Sequence, residues 1–175
     1  MLFRSFGEPR DAGEMVKSMK RLGYAPSVFF ARSASGPKFI ERVGQDAEYA
    51  LAVIEYDPRF RTEGNERFVK AFEAKWSAPP GAAAAEGYAA GTVLAEALRR
   101  AGTANPDKLR ATLAALVMPT VLGEFKVGAA GEQMAERSAI VQTRLGRAEI
   151  VWPPALQTAQ PVLPYPQWSE RKLLK

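Results

Sequence analysis

Apolar residues along this chain follow a helical rhythm in some stretches and a strand rhythm in others, and the alternation between the two predicts its elements. Leu2-Phe3-Arg4-Ser5-Phe6 alternates in part and ends at Gly7 and Pro9, as a short strand does. From Arg10 to Leu22 the apolar positions Ala12, Met15, Val16, Met19 and Leu22 recur at three- and four-residue steps, which predicts a helix stopped by Gly23. Ser27-Val28-Phe29-Phe30-Ala31 is an apolar run between Pro26 and a polar loop, and reads as a buried strand. Pro37 opens a shorter helix with Phe39, Ile40 and Val43 inward, and Ala50-Leu51-Ala52-Val53-Ile54 reads as a third strand ended by Asp57-Pro58. Strand, helix, strand, helix, strand in this order predicts parallel strands joined by crossover helices, an α/β fold.

After Asp57 three helices are expected in succession. Asn65 is placed to cap a helix carrying Phe68, Val69, Phe72 and Trp76, ended by Pro79-Pro80. Ala82 to Ala101 is a long Ala- and Gly-rich helix closed by Gly102, whose small residues would let another element approach closely. Asn105 and Pro106 form a cap and first-turn pair for a helix with Leu109, Leu113 and Leu116. Nothing large in this chain is offered for the Ala-rich helix to lie on. Strand patterning then returns: Val121 to Val127 alternates, as does Ser138 to Arg144, and Leu145-Gly146-Arg147 reads as a hairpin turn into Ala148 to Trp152. Beyond Pro153 the prolines 154, 161, 164 and 166 predict an extended tail, with Trp168 to Lys175 as the end that could turn helical.

Composition narrows the chemistry. The chain has no Cys and no His, which removes disulfides, thiolate nucleophiles, Ser-His and Cys-His triads and the commonest metal ligand. No metal or other cofactor is expected. Its 24 Lys and Arg against 19 Asp and Glu give +5, a mild excess, and the densest basic group (Lys17, Lys20, Arg21) alternates with Met15, Val16, Met19 and Leu22. That is the wet face of an amphipathic helix, so no nucleic-acid partner is expected. No stretch approaches the ~20 apolar residues of a spanning helix, and residues 1–10 lack the basic and apolar pattern of a secretory signal.

Glycines that precede helices or flank strands (Gly81, Gly123, Gly128) form no phosphate-binding motif. The carboxylate pairs Glu8 and Asp11, Asp46 and Glu48, and Glu63 and Glu66 stand in loops or at helix starts, where capping accounts for them. Phe6, Tyr56 and Trp168 lie at a strand end or in loops and are candidates for stacking on a ligand. In open α/β sheets ligands bind at the carboxyl ends of the strands. That edge carries Phe6 and Gly7 after the first strand, Arg32 and Ser33 after the second, and Glu55 and Tyr56 after the third. Arg32 could hold a carboxylate in its guanidinium fork, and Ser33 could bond one through hydroxyl and backbone N–H. The candidate ligand-binding set is therefore Phe6, Gly7, Arg32, Ser33 and Tyr56; no catalytic residue is assigned.

Several stretches resemble one family in a shared order. Met19-Lys20-Arg21-Leu22-Gly23-Tyr24-Ala25-Pro26 is similar to the helix-to-strand turn of the type 1 periplasmic binding proteins, in particular the branched-chain amino acid and related carboxylate-binding group. Phe68-Val69-Lys70-Ala71-Phe72 before Pro79-Pro80, and Ala85-Glu86-Gly87-Tyr88-Ala89-Ala90 running on to Gly102, look like two of its helices. Thr120 to Val127 with Gly131 and Gln133, then Val141-Gln142, Gly146 and Val151-Trp152-Pro153, are similar to its closing strands and turns. Gly128 departs from the pattern, standing where the family usually carries an acidic residue.

The resemblance implies part of a two-lobed fold, with residues 1–56 and 137–152 in one lobe, 57–136 in the other and 153–175 as a Pro-rich tail. It implies the substrate-binding component of an ABC transporter, not an enzyme, which captures an amino acid or small carboxylate in the periplasm and delivers it to a membrane permease. The family's first lobe and signal peptide would precede Met1, so the chain resembles a truncated gene product that binds poorly alone and self-associates through uncovered apolar surface. A ligand-sensing domain of a receptor or regulator, and a small enzyme using carboxylate or lysine chemistry, are the rival readings.

Overall fold

The computed structural model describes residues 2–134 and 138–171. In chain order the elements are β1 (Leu2–Ser5), α1 (Pro9–Arg21), β2 (Val28–Ala31), α2 (Pro37–Val43), β3 (Leu51–Ile54), α3 (Asn65–Trp76), α4 (Ala82–Ala101), α5 (Pro106–Ala115), β4 (Met118–Thr120), β5 (Gly123–Phe125), β6 (Ala139–Arg144) and β7 (Arg147–Trp152). They divide into two compact units, Met1–Ile54 with Ser138–Lys175, and Glu55–Arg137.

The first unit is a five-stranded sheet in the order β1-β2-β3-β6-β7. β1, β2 and β3 are parallel, β3 pairs antiparallel with β6, and β6 with β7. The apolar stripe of α1 becomes a buried line of Ala12, Val16 and Met19, and Phe39 of α2 is fully enclosed. Each large side chain so enclosed contributes about 1.5–3 kcal/mol. Glu8 and Asp11 form a capping box at the start of α1, with the Glu8 N–H donating to Asp11 Oδ2 at 3.0 Å. The hairpin from β6 to β7 turns on two residues only, Leu145 (φ 53°) and Gly146 (φ 73°), with Arg147 already in the strand. A positive φ at both positions suits the right-handed twist of a tight hairpin, yet it is costly for leucine. The buried carboxylate of Glu48 offsets that cost by accepting the Leu145 N–H at 2.9 Å and the Gly146 N–H at 2.6 Å.

The Pro-rich segment after β7 folds back on this unit as far as it is described. Gln142, fully buried, donates its side-chain amide to the carbonyls of Tyr49 and Val162 and accepts the Val162 N–H. Tyr165 is buried against Phe29, and the Trp168 indole N–H donates to the Tyr24 carbonyl. Residues 172–175, part of the stretch that the sequence allows to turn helical, lie outside the described residues.

The second unit is helical with a β4-β5 hairpin. Ala85, Ala89, Val93 and Ala97 are the buried face of α4, and Val93 and Ala97 pack with Leu116, Leu109, Leu113, Met118 and Phe125. Leu94 and Leu98, on the other face, are exposed. Two expectations are corrected here. Asn65 does not cap α3: the cap position is Gly64, and the Asn65 side chain is buried and turned to the preceding loop. The strand expected over Val121 to Val127 is shorter than its pattern: Val121 and Leu122 form the tight turn between β4 and β5, across which Thr120 and Gly123 face each other, and only Gly123–Phe125 of that run is strand. Thr120 Oγ1 donates to the Gly123 carbonyl, a polar closure that alternation alone does not reveal. Asn105 does cap α5, accepting the Lys108 N–H at 3.1 Å. At Gly128 an added side chain would overlap the Glu132 carboxylate, which itself accepts the Ala130 N–H; a carboxylate thus serves this turn from position 132.

Replacing Glu48 with Ala should lower unfolding free energy by about 2–3 kcal/mol, because two turn N–H groups lose a charged acceptor. Glu48→Gln should retain about half of it. Urea denaturation followed by circular dichroism measures both.

Candidate functional site

Parallel pairing brings the carboxyl ends of β1 and β2 side by side. Ser5 is in register with Ala31, and the ladder runs one step further as the Arg32 N–H donates to the Ser5 carbonyl at 3.0 Å. Beyond it the two loops are tied together. The Gly7 N–H donates to Ser5 Oγ at 3.2 Å, and Ser33 Oγ donates to the Gly7 carbonyl at 2.8 Å. Phe6 stands on this edge with 72% of its surface exposed, and Arg32 is exposed beside it in register. Gly7 fits because a Cβ there would meet Asp11 Oδ2 at 2.8 Å. Four of the five sequence candidates, Phe6, Gly7, Arg32 and Ser33, are therefore neighbours in one unit.

Since the Ser33 hydroxyl proton is committed to Gly7, its backbone N–H is the donor left for a ligand among the described bonds. The amino end of α1, which opens at the same edge, already holds the Glu8 and Asp11 carboxylates, so its dipole is satisfied internally. An apolar ring, a guanidinium and one N–H suit a small carboxylate carrying an apolar group.

Tyr56, the fifth candidate, belongs to the other unit and is only 6% exposed. Its ring packs edge-on against Phe60 (6.1 Å) and Phe68 (6.4 Å), and its hydroxyl donates to Asn65 Oδ1 at 2.9 Å. Asn65 in turn donates to the carbonyls of Pro58 (3.1 Å) and Phe60 (2.8 Å). One buried amide thus holds the loop that leads into α3. Burial, followed by the nearby Asp57 charge, pushes the Tyr56 phenol up to about 12. Burial would also raise Asp57, but three bonds from Arg59 hold its carboxyl below the usual range. Sequence reasoning missed Asn65 because an Asn ahead of an amphipathic helix has the look of a cap. Glu55 is exposed. Trp168, also considered for ligand stacking, has its ring occupied by the Arg171 guanidinium at 3.4 Å.

Because the folded Tyr56 pKa lies above the ordinary value of 10.0, its contribution to stability is fully present below pH 10 and is lost as pH rises through about 12. Tyr56→Phe should flatten that alkaline limb of the stability curve and cost about 1 kcal/mol at neutral pH. Asn65→Leu, which strands two buried carbonyls, should cost about 2–4 kcal/mol. Denaturant titrations between pH 7 and 12 measure these effects.

The family model described as "Periplasmic binding protein" matches residues 5–148. Among solved structures, the leucine binding protein LivK of Thermotoga maritima superposes with a TM-score of 0.73 at 21% identity, over 85% of this chain and 43% of that one. A solute binding protein of R. palustris in complex with benzoate gives 0.64 at 22% identity, over 86% and 42%. A putative branched-chain amino acid ABC transporter protein from Silicibacter pomeroyi gives 0.79 at 14%, over 93% and 47%. The chain spans less than half the length of each of these three.

Proposed function

This chain belongs to the periplasmic binding protein family, and on that footing we propose that it serves non-catalytic capture of an amino acid or related small carboxylate as the substrate-binding component of an ABC transporter. The family is related to the ABC transporter proteins that bind branched-chain amino acids, and the chain has part of its two-lobed fold. Capture would take place in the periplasm and end in delivery to a membrane permease.

The observation that carries the reading is the junction of Phe6, Gly7, Arg32 and Ser33 at the carboxyl edge of β1 and β2. In this reading Arg32 and the Ser33 N–H receive the solute's carboxylate, and Phe6 covers its apolar part. Gly7 lets the backbone approach. Tyr56 acts by shape, holding its loop through Asn65. This edge supplies only a few contacts, and a small ligand needs most of its surface covered for tight binding. The chain by itself is therefore a weak binder.

Titration with leucine and with benzoate, followed by amide NMR, should move the signals of Phe6, Gly7, Arg32 and Ser33 with a Kd of about 1 mM or weaker. Arg32→Ala should weaken the response to both about tenfold. Shifts confined to other surfaces would sink the assignment, and micromolar affinity in calorimetry would overturn the claim of weak binding.

A further inference from the structure

The C-terminal segment carries a feature that solute capture does not use. Arg171 is only 7% exposed, its guanidinium lying 3.4 Å over the Trp168 ring and 4.0 Å over the Tyr165 ring. Its Nε donates to the Pro166 carbonyl, but Nη1, Nη2 and the Tyr165 hydroxyl have no hydrogen-bond partner among the described residues. Burying a charge with two of its three nitrogens unbonded is costly, and the stacking offsets only part of that cost. Burial accordingly pushes the guanidinium's pKa down, and the adjacent Tyr165 side chain, followed by the Asp46 carboxylate and Tyr49, compensates in part. Opening to water would return the full hydration of the guanidinium. Among the described bonds the segment is otherwise tied by the Val162 backbone to Gln142, the Tyr165 N–H to the Ser27 carbonyl at 2.7 Å, and the Trp168 indole to the Tyr24 carbonyl.

The Tyr165 and Trp168 ties converge on the approach to one strand, β2, while the Val162 tie goes to β6. Ser27 and Tyr24 precede β2, and Tyr165 packs on Phe29 within it. β2 has four residues, about 13 Å at roughly 3.3 Å each, and its far end leads directly into Arg32 and Ser33. We propose that residues 162–171 are a reversible strap, buckled by Arg171 between Trp168 and Tyr165, which opens well below the free energy of global unfolding and controls the order of β2 along its length. The strap acts on β2 whatever solute the carboxyl edge takes. Local opening of this kind belongs to segments held by a few ties at the rim of a core.

Native-state hydrogen exchange by NMR tests it on the full chain. The Val162 and Tyr165 amides and the Trp168 indole should be about 100-fold less protected than the amides pairing β3 with β6. In Arg171→Ala they should lose a further tenfold or more, the Arg32 amide should lose protection with them, and the β3–β6 amides should stay unchanged. Trp168→Phe, which keeps an aromatic face but loses the bond to Tyr24, should fall between the two. Strap and ladder exchanging together in the wild type, an Arg32 amide indifferent to Arg171→Ala, or global unfolding of that variant would each overturn the proposal.

Discussion

Parallel pairing of β1 with β2 is the constraint that creates the candidate binding edge. Parallel strands end on the same side, so residues 26 positions apart, Gly7 and Ser33, are brought within a hydrogen bond of one another. The helices that return the chain must lie over the sheet, and α1 does so because its apolar positions repeat at the helical period. With the ladder's last bond running from the Arg32 N–H to Ser5, the two loops beyond it start side by side and are tied through Gly7 and Ser33.

Much of this was legible in advance for a physical reason. Burying one face of a helix or strand stamps a period on the sequence, and α1, α2, α4 and the strands of the first unit all carry it. Order plus period gave parallel strands, and parallel strands gave the edge. The neighbourhood of Phe6, Gly7, Arg32 and Ser33 was therefore inferable from pattern alone.

Polar contacts escaped, because they leave no period. Asn65 holds its loop through three bonds to residues five to nine positions earlier, yet in sequence it looks like a cap. Thr120 closes a turn through its hydroxyl and so takes the first two residues of an alternating run out of the strand. Tyr56 lies where a strand-edge residue should meet a ligand, but its own aromatic neighbours enclose it. In each case a single side chain's choice of partner decides the structure, and that choice depends on the folded surroundings.

The Gln142 side chain has a consequence for how the molecule tolerates change. By giving an N–H to the Val162 carbonyl and taking the Val162 N–H on its oxygen, the carboxamide imitates one rung of a β-ladder from within the sheet. One docking point of the C-terminal segment is thereby set by a side chain and not by strand pairing. Shortening this one side chain by a methylene would withdraw that rung and loosen the chain at Val162, leaving its register to the backbone bond at Tyr165 and the indole bond at Trp168.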